Sequence, residues 1–266
     1  MAKVKIIDGK GIIPLGSTTI DAVGVDYYDR ENLVSIDIPS SVKKIDIHAF
    51  ERCTRLKKLE IPESVEFIGI NAFQDCTGLE KIKVSPKNKV YESRERVGLI
   101  PRDCNAIIDK ASNTLLLGCK NTVIPSSVAS IGVGAFGKCK ELTSIDIPDS
   151  VKEIYDDAFY YCEGLTKVEI QGDLLRVGGM AFMGCTHLKE VVFGGDVMKI
   201  ECNAFKGCTR LTSVEFRGEV MRIALDAFDN CDSVEQILVP ICTTELYKKL
   251  LPDKYHRLIK EVYFSE

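Results

Sequence analysis

The sequence predicts an α/β repeat fold: a solenoid of about eight units of 23 residues, with one inserted β-hairpin and a helical cap at the carboxyl end. Two observations support this fold class. An Ala-Phe pair returns at a spacing of 23 residues with one interruption, and a cysteine stands three residues after each phenylalanine. A fixed period of this length is the signature of stacked repeats. The pairs begin at Ala49, Ala72, Ala135, Ala158, Ala181, Ala204 and Ala227.

One unit combines two apolar periods, described here with the alanine of the pair as position 1. Positions 1, 5 and 8 are apolar at the spacing of one or two helical turns, whereas positions 11 and 13 alternate as in a short strand. A proline at position 14 closes this strand, and a second short extended piece is expected at positions 17–20. A single unit cannot bury its own apolar residues, so neighbouring units must stack and share a core. The unit beginning at Ala135 shows this pattern in full.

Residues 1–48 are expected to form an amino-terminal cap and a first, degenerate repeat. Residues 1–25 carry no copy of the period, and we expect them to be irregular. The first repeat then has Asp26-Tyr27 in place of Ala-Phe and Arg30 in place of the cysteine, while its second half keeps the apolar pattern. An atypical unit of this kind is what a repeat stack requires at its open end.

The period breaks after two regular repeats at 49–84. The alanines at 72 and 135 are 63 residues apart, which leaves an insertion at about 85–124. The insertion contains a charged loop from Glu92 to Arg96. Between Asn105 and Gly118, two apolar runs flank a polar turn, which is the pattern of a β-hairpin. Two roles are open for this hairpin: a loop that binds a partner, as insertions in repeat proteins often do, or a bridge between two halves of the solenoid.

Regular repeats continue over 125–240, and residues 241–266 are expected to form a helical cap. A threonine before an acidic residue and the spacing of Leu246, Leu250 and Leu251 predict a capped amphipathic helix. Pro252 interrupts it. A second helical piece is expected through Tyr255, Leu258 and Ile259, and the two pieces would cover the open edge of the stack. All five segments belong to one continuous solenoid domain.

Composition limits the classes of partner. The 35 basic residues are interspersed with 39 acidic ones, without a basic run, so nucleic acid is not an expected partner. No stretch approaches the roughly 20 apolar residues of a membrane span, so membrane insertion is not expected. As printed, the amino terminus lacks the apolar core and cleavage site of a signal peptide, which predicts a cytoplasmic protein. A cell-surface or secreted location is the expectation if the native chain begins earlier.

No catalytic, cofactor-binding or metal site is expected. The seven cysteines at position 5 occur once per repeat in an apolar pattern, which indicates a column of buried thiols acting as core residues rather than metal ligands or disulfides. The three histidines are far apart in the sequence. No nucleophile, phosphate-loop or dinucleotide motif is present. An enzyme is therefore not expected, and one built on the insertion is the most distant of the alternatives.

The repeats resemble a known family. The run Ile131-Gly132-x-x-Ala135-Phe136-x-x-Cys139-x-x-Leu142-x-x-Ile145-x-Ile147-Pro148-x-Ser150-Val151 is similar to the BspA-like leucine-rich repeats of bacterial surface antigens. The resemblance covers roughly 26–240. The segments 104–108 and 117–125 are similar to a hairpin found in Bacteroides members, and the tail resembles their carboxy-terminal cap. The resemblance implies a right-handed leucine-rich-repeat solenoid for protein recognition, in several members for adhesion to host matrix proteins or other bacteria. It implies no catalytic residues.

Two surfaces are candidates for binding a protein. The first is the strand face, where position 12 points outward. Acids and lysines lie side by side there, which fits either a solvated face with compensated charge or a binding surface. Its candidate binding residues are Asp37, Glu60, Asp146, Glu169 and Glu215.

The second surface is an apolar edge. Position 18 becomes apolar in the later repeats, at Leu175, Met198 and Met221, and tyrosines and methionines gather nearby. Exposed rows of these residue types mark partner surfaces. The alternative is that the tail after Val239 folds back over part of the edge. Its candidate residues are Tyr155, Tyr160, Tyr161, Met180 and Met183.

The sequence thus predicts a noncatalytic protein-protein interaction module, with the resemblance pointing to a bacterial surface adhesin that binds host or bacterial proteins. The alternative is a structural or self-assembling intracellular scaffold whose apolar edge mediates self-association. No cofactor is expected in either case.

Overall fold

The computed structural model describes residues 2–95 and 102–264, so Arg96, the last residue of the predicted charged loop, lies outside the described residues. The first part of the chain contains a 3₁₀ helix at Arg30–Asn32. Its strands are β1 (Ala2–Ile7), β2 (Lys10–Ile12), β3 (Thr19–Val25), β4 (Ser35–Ile36), β5 (Lys44–Ile45), β6 (Lys58–Ile61), β7 (Phe67–Ile68), β8 (Lys81–Val84) and β9 (Tyr91–Glu95).

The second part begins with a hairpin and ends with the only α-helix of the described residues. Its strands are β10 (Arg102–Asp109), β11 (Thr114–Leu117), β12 (Ser130–Ile131), β13 (Ser144–Ile147), β14 (Glu153–Ile154), β15 (Lys167–Ile170), β16 (Arg176–Val177), β17 (Glu190–Phe193), β18 (Ser213–Phe216) and β19 (Gln236–Pro240). The tail consists of helix α1 (Thr244–Leu250), a 3₁₀ helix at Asp253–Leu258 and strand β20 (Ile259–Val262).

The chain winds into the expected solenoid, with about ten turns of roughly 23 residues rather than eight. Positions 10–13 form parallel strands on one side, and β13, β15, β17, β18, β19 and β20 make one six-stranded sheet. Positions 19 and 20 form a second parallel ladder, which includes β12, β14 and β16. Every paired residue lies 23 positions from its partner within the regular repeats, as in Ile145 opposite Val168. Stacking in register is therefore a direct consequence of the period.

The third side is built from tight turns. The helical spacing of positions 1, 5 and 8 does not produce a helix there, because positions 23 and 4 lie in the left-handed region in most of these turns. Asp157 has φ 58° and Tyr161 has φ 52° in one turn. The spacing instead aligns buried rings. Phe136, Phe159, Phe182, Phe205 and Phe228 stack face to face with centroids 4.9–5.1 Å apart.

The cysteines at position 5 form the predicted column of buried thiols. All seven are buried. Five of them donate from Sγ to the phenylalanine carbonyl of the preceding repeat, for example Cys162 to Phe136 at 3.0 Å and Cys185 to Phe159 at 3.2 Å. Burial raises the pKa of Cys139 and Cys185 to about 12. These thiols stay protonated at neutral pH, which removes the thiolate that metal binding and oxidation require.

The expectation of an irregular segment at 1–25 is wrong. Strand β1 pairs with β2 in antiparallel and with β3 in parallel, and β2 and β3 then extend the two solenoid ladders through β4 and β5. Apolar residues without the 23-residue period bury themselves here, including Val4, Ile20 and Val25. Arg30 closes the first turn, because its guanidinium donates to the carbonyls of Glu51 (3.1 Å) and His48 (3.3 Å).

The insertion contains the predicted hairpin, with β10 and β11 antiparallel. Strand β9 adds to the other edge of β10. The hairpin bridges the two halves of the solenoid, since β10 is buried on both faces. Ile107 belongs to the core of the amino-terminal half, whereas Ala106 and Ile108 belong to the core of the carboxy-terminal half.

The tail differs in part from the predicted pair of helices. Helix α1 is present, but Leu246 is 39% exposed and Tyr247 is the fully buried residue of the helix. A helix of two turns has room for one inward column, which Tyr247 takes by packing on Phe216 at a centroid distance of 5.2 Å. Ile259 does not continue a helix, because it begins β20, which pairs in parallel with β19. A strand therefore covers the open edge of the sheet.

Candidate functional site

The strand face of the carboxy-terminal half presents one side chain of position 12 from each strand. These residues are paired across the sheet in a straight row: Asp146, Glu169, Val192, Glu215, Leu238 and Lys260. The sheet thus brings three of the five predicted acidic residues together. Adjacent side chains in such a ladder are neighbours, so their charges interact directly.

Most of the charge on this row is compensated. Lys167 Nζ lies 3.2 Å from the Glu169 carboxylate and 3.7 Å from that of Glu190. The Glu169 carboxylate raises the pKa of Lys167 above its ordinary value. Arg217 contacts Glu215 at 2.6 Å and reaches back to Glu169 at 3.9 Å. The basic side chains therefore neutralise the middle of the row.

Arg217 contacts the residues on both sides of Val192. Its guanidinium spans from Glu215 to Glu169, the residues on either side of Val192 in the ladder, and Val192 is only 1% exposed. Asp146, in contrast, is exposed and has no ion-pair partner among residues 2–95 and 102–264. The row therefore combines one free carboxylate with a covered, charge-neutral centre.

Asp37 and Glu60 lie apart from this row, in a groove of about 510 Å³ on the strand face of the amino-terminal half. The groove forms because β4 and β6 belong to different sheets. Lys58, Glu63 and two serines also line it. Asp37 forms an exposed ion pair with Lys10 at 2.7 Å, and the exposed Glu60 has no ion pair in the described part of the chain. Exposed pairs such as Lys10 and Asp37 contribute little to stability.

The tyrosines and methionines of the predicted edge do not form one cluster. Tyr160 and Tyr161 contact each other with centroids 4.4 Å apart, and the Tyr161 N–H donates to the Met183 carbonyl at 2.7 Å. Met180, 39% exposed, lies at position 23 of the next turn. Tyr155 lies on another side, with the Arg176 guanidinium 6.0 Å from its ring centroid. The structure therefore divides the set into Tyr155 alone and a turn-face group of Tyr160, Tyr161, Met180 and Met183.

The apolar row at position 18 is open. Leu175, Met198 and Met221 are 51%, 50% and 70% exposed. The alternative in which the tail covers this row is not what the structure shows, because Tyr247 packs on Phe216 and Tyr255 on Phe228 at the end of the stack. The three side chains follow one another along the ladder, one per turn.

One site was not predicted from the sequence. A cavity of about 260 Å³, here called the break cleft, lies where the insertion interrupts the solenoid. Its walls are the turns Ile70–Gln74 and Gly132–Gly134, its floor includes Ile107 and Leu117, and Tyr155 reaches its rim. The signal that could have revealed it is the short step of three residues from Leu115 to Gly118, where the regular repeats have five.

The sequence of the chain matches the profile of one protein family. The profile described as "BspA type Leucine rich repeat region" matches residues 21–95 and 112–237 in six copies. These residues are well over half of the chain. The chain belongs to the BspA-type leucine-rich repeat family. No curated protein has a significant sequence match to it.

Solved structures of bacterial leucine-rich repeat proteins resemble this BspA-type solenoid. A leucine rich cell surface protein from Faecalibacterium prausnitzii superposes with a TM-score of 0.68 at 28% identity, covering 85% of this chain and 58% of that protein. The pneumococcal vaccine antigen PcpA superposes with a TM-score of 0.64 at 17% identity, covering 88% of this chain and 63% of PcpA. The chain spans less than two thirds of the length of both. A leucine-rich repeat protein from Bacteroides ovatus is 17% identical, with a TM-score of 0.35.

The BspA-type family is a family of repeat scaffolds, which generally bind proteins and are typically not enzymes. In the described residues no group of three or more His, Cys, Asp or Glu side chains is placed to hold a metal ion. His48, His187 and His256 each have a separate local partner, such as the Glu163 carbonyl at 2.7 Å from His187. None of the helices found between residues 2 and 264, outside the gap at 96–101, has the length and apolar character to cross a membrane.

Proposed function

We propose that the chain is a noncatalytic adhesion module that binds a host or bacterial protein through its strand face. The observation that carries the proposal is the in-register row on six parallel strands, which presents side chains on a surface held by continuous backbone pairing. Because this surface is already rigid, binding a partner costs little conformational entropy, and more of the contact free energy contributes to affinity. The similarity to a cell surface protein at 28% identity supports the adhesive role.

The free carboxylates are the residues that would steer a partner. Asp146 and Glu60 are exposed and have no ion pair within the described chain, unlike Glu169 and Glu215, which Lys167 and Arg217 neutralise. An unpaired surface charge adds to the association rate with a partner of opposite charge, and salt screens this effect. A basic protein surface is therefore the expected complement.

The test is a binding measurement against a panel of immobilised host matrix proteins and bacterial surface proteins. The variant Glu60→Lys/Asp146→Lys reverses both free charges without breaking an ion pair. Each single reversal, Glu60→Lys or Asp146→Lys, is compared with Glu31→Lys, which makes the same charge change at an exposed residue of the first 3₁₀ helix and is the matched control. We expect the double variant to lower the association rate with a panel member about tenfold, with a weaker salt dependence, and the control to bind normally.

Two results would refute the proposal. If the wild-type chain binds no protein of the panel, the adhesive role fails. If a panel protein binds the double variant as fast as the wild type, the strand face is not the binding surface.

A second candidate function is self-assembly through the apolar row of Leu175, Met198 and Met221, which the structure leaves more than half exposed on average. Light scattering of the wild type over a range of concentrations would show a rise in mass, and Met198→Lys would abolish it. Tyr160→Ser/Tyr161→Ser tests the turn-face group in the same assay. A monomer at every concentration would exclude self-assembly.

A further inference from the structure

The break cleft lies at a turn that is two residues short. In complete repeats the residue at position 20, the last of the second strand, is followed by the phenylalanine after five residues, as from Ile68 to Phe73 and from Ile131 to Phe136. A step of five residues is long enough for the backbone to complete the turn and for the phenylalanine side chain to join the stack of buried rings. The first of these two steps contributes Ile68–Phe73 to one wall of the cleft, and the second contributes Gly132–Gly134 to the other.

The inserted turn between these walls keeps the same two fixed points. Leu115 is paired with Ile131 in the parallel ladder. Gly118 donates its N–H to the Ala135 carbonyl at 2.9 Å, the bond that a phenylalanine makes elsewhere. The step from Leu115 to Gly118 is three residues instead of five, so two residues are missing. The cleft occupies the space where they would lie.

Neighbouring turns elsewhere are joined by a regular set of backbone hydrogen bonds. The N–H groups of positions 23, 2 and 4 donate to the carbonyls of positions 22, 1 and 3 in the next turn, at 2.6–3.1 Å. One complete set consists of Gly134 to Asp156, Phe136 to Ala158, and Lys138 to Tyr160. The set is complete in the three turns that begin at Gly134, Asp157 and Met180. In the turn that begins at Asn203, the Asp226 carboxylate replaces one carbonyl as the acceptor, at 3.3 Å.

The walls of the cleft lack this pairing. Asn71, Phe73 and Asp75 hold the three donor positions, and their N–H groups donate no hydrogen bond within residues 2–95 and 102–264. Across the cleft, the carbonyls of Val133 and Gly137 accept none in the same part of the chain. Phe73 is 4% exposed, and an unpaired backbone donor at such a buried residue is costly. An added backbone segment has both carbonyls and N–H groups, so it could pair with the free donors of one wall and the free acceptors of the other.

The cleft is also apolar and large enough for a side chain. Ile68, Ile107 and Leu117 line it. Ile70 and Val133, 69% and 42% exposed, stand at the same repeat position on its two lips. Its volume of about 260 Å³ exceeds the cavity of about 150 Å³ that holds a benzene. One aromatic or branched aliphatic side chain fits this space.

We infer that the break cleft binds an extended peptide segment of a partner protein, which replaces the two missing residues of the short turn. The peptide accepts hydrogen bonds from Asn71 and Phe73, donates to Val133, and places one apolar side chain between Ile70 and Val133. This is the addition of a strand to an unpaired backbone edge, a common mode of peptide recognition. It rests on the proposed role in protein binding, but it uses a site separate from the strand face.

The test uses a phage-displayed library of random linear peptides selected on the full chain. One variant fills the cleft by inserting two alanines between Leu116 and Leu117, and Val133→Lys places a charge on its lip. Val123→Lys, at a position 61% exposed outside the cleft, is the matched control. Circular dichroism verifies the fold of each variant. We expect selected peptides to share one apolar residue and to bind the filled and Val133→Lys variants at least about tenfold more weakly.

Amide chemical shifts provide a second readout. Binding should move the N–H resonances of Asn71 and Phe73 downfield, because these protons gain acceptors. Equal binding to the filled variant, selection of no peptides, or unchanged amide shifts of both residues would overturn the inference. The two proposals fail separately. Capture of a matrix protein by the filled variant leaves the adhesive role standing without the cleft, and peptide binding without capture leaves the cleft standing alone.

Discussion

Phe159→Ala is the sharpest test of the ring stack. Phe159 is fully buried and stacks between Phe136 and Phe182, each at 4.9 Å. Truncating a buried phenylalanine costs about 3–5 kcal/mol, and each lost ring pair contributes about 0.5–1.5 kcal/mol beyond its buried area. With two pairs lost, we expect the free energy of unfolding to fall by about 5 kcal/mol, at the upper end of the range for such truncations. A loss of this size lowers the thermal midpoint by about 10 °C or more.

Phe136→Ala is the matched comparison. Phe136 is 1% exposed but stacks only on Phe159, because Gly118 lies against its other side. Its loss should therefore be smaller by about 1 kcal/mol, the contribution of one ring pair. Urea unfolding followed by circular dichroism measures both, since the chain has no tryptophan. Equal losses for the two variants, or a loss under about 1 kcal/mol for Phe159→Ala, would refute the additive stack.

Three further predictions concern the buried thiols, the insertion and the tail. Burial raises the pKa of Cys139 and Cys185 from near 9 to about 12. Between pH 9 and 12 the unfolded chain binds fewer protons than the folded one, so stability should fall by about 1.4 kcal/mol per pH unit for each thiol. Urea titrations at several pH values measure this slope, and Cys185→Ala should reduce it. Gly118→Ala places a Cβ 2.1 Å from a buried phenylalanine ring and should destabilise by about 1–3 kcal/mol, whereas Gly137→Ala, with its nearest neighbour at 3.4 Å, should change little in the same assay. Tyr247→Phe removes a hydroxyl bond of 3.0 Å to a backbone carbonyl and should cost about 1 kcal/mol in urea unfolding.

A specific result would contradict each of these three predictions. A stability that stays flat above pH 9 would mean that the thiols are solvated or already ionised. A harmless Gly118→Ala would mean that the inserted turn does not press against the ring stack. No change in Tyr247→Phe would mean that the helix is held by packing alone.

The period was enough to predict most of the stack. The 23-residue spacing predicts a stack of units with a shared core and a column of buried thiols, and both are confirmed. The parallel pairing of Ile145 with Val168 and the aligned phenylalanine rings are consequences of that stacking. The hairpin in the insertion was also readable, since its two apolar runs flank a polar turn. These features depend on the local spacing of apolar residues and on the in-register stacking of similar repeats, which aligns equivalent positions.

Other features depend on contacts between residues distant in the sequence, which the spacing of apolar residues does not reveal. Positions 1, 5 and 8 suggested a helix, but left-handed residues such as Asp157 and Tyr161 turn the chain instead. The strands of residues 1–25 have no repeat period, although the alternation of Val4 and Ile6 is a strand signal. Position 12 was expected to point to solvent, but Val192 is buried at this position, between two glutamates that Arg217 contacts. The break cleft becomes visible only when the ladder pairs Leu115 with Ile131.

Strand β10 limits how this protein can be divided. Its successive residues serve different interiors, with Ile107 in one core and Ile108 in the other. A fragment that ends before this strand leaves the first core open, and a fragment that begins after it leaves the second open. Removing the insertion would damage both, so its contribution to binding must be dissected with single substitutions. The halves share one wall, and neither could be exchanged with a relative's half as an independent building block.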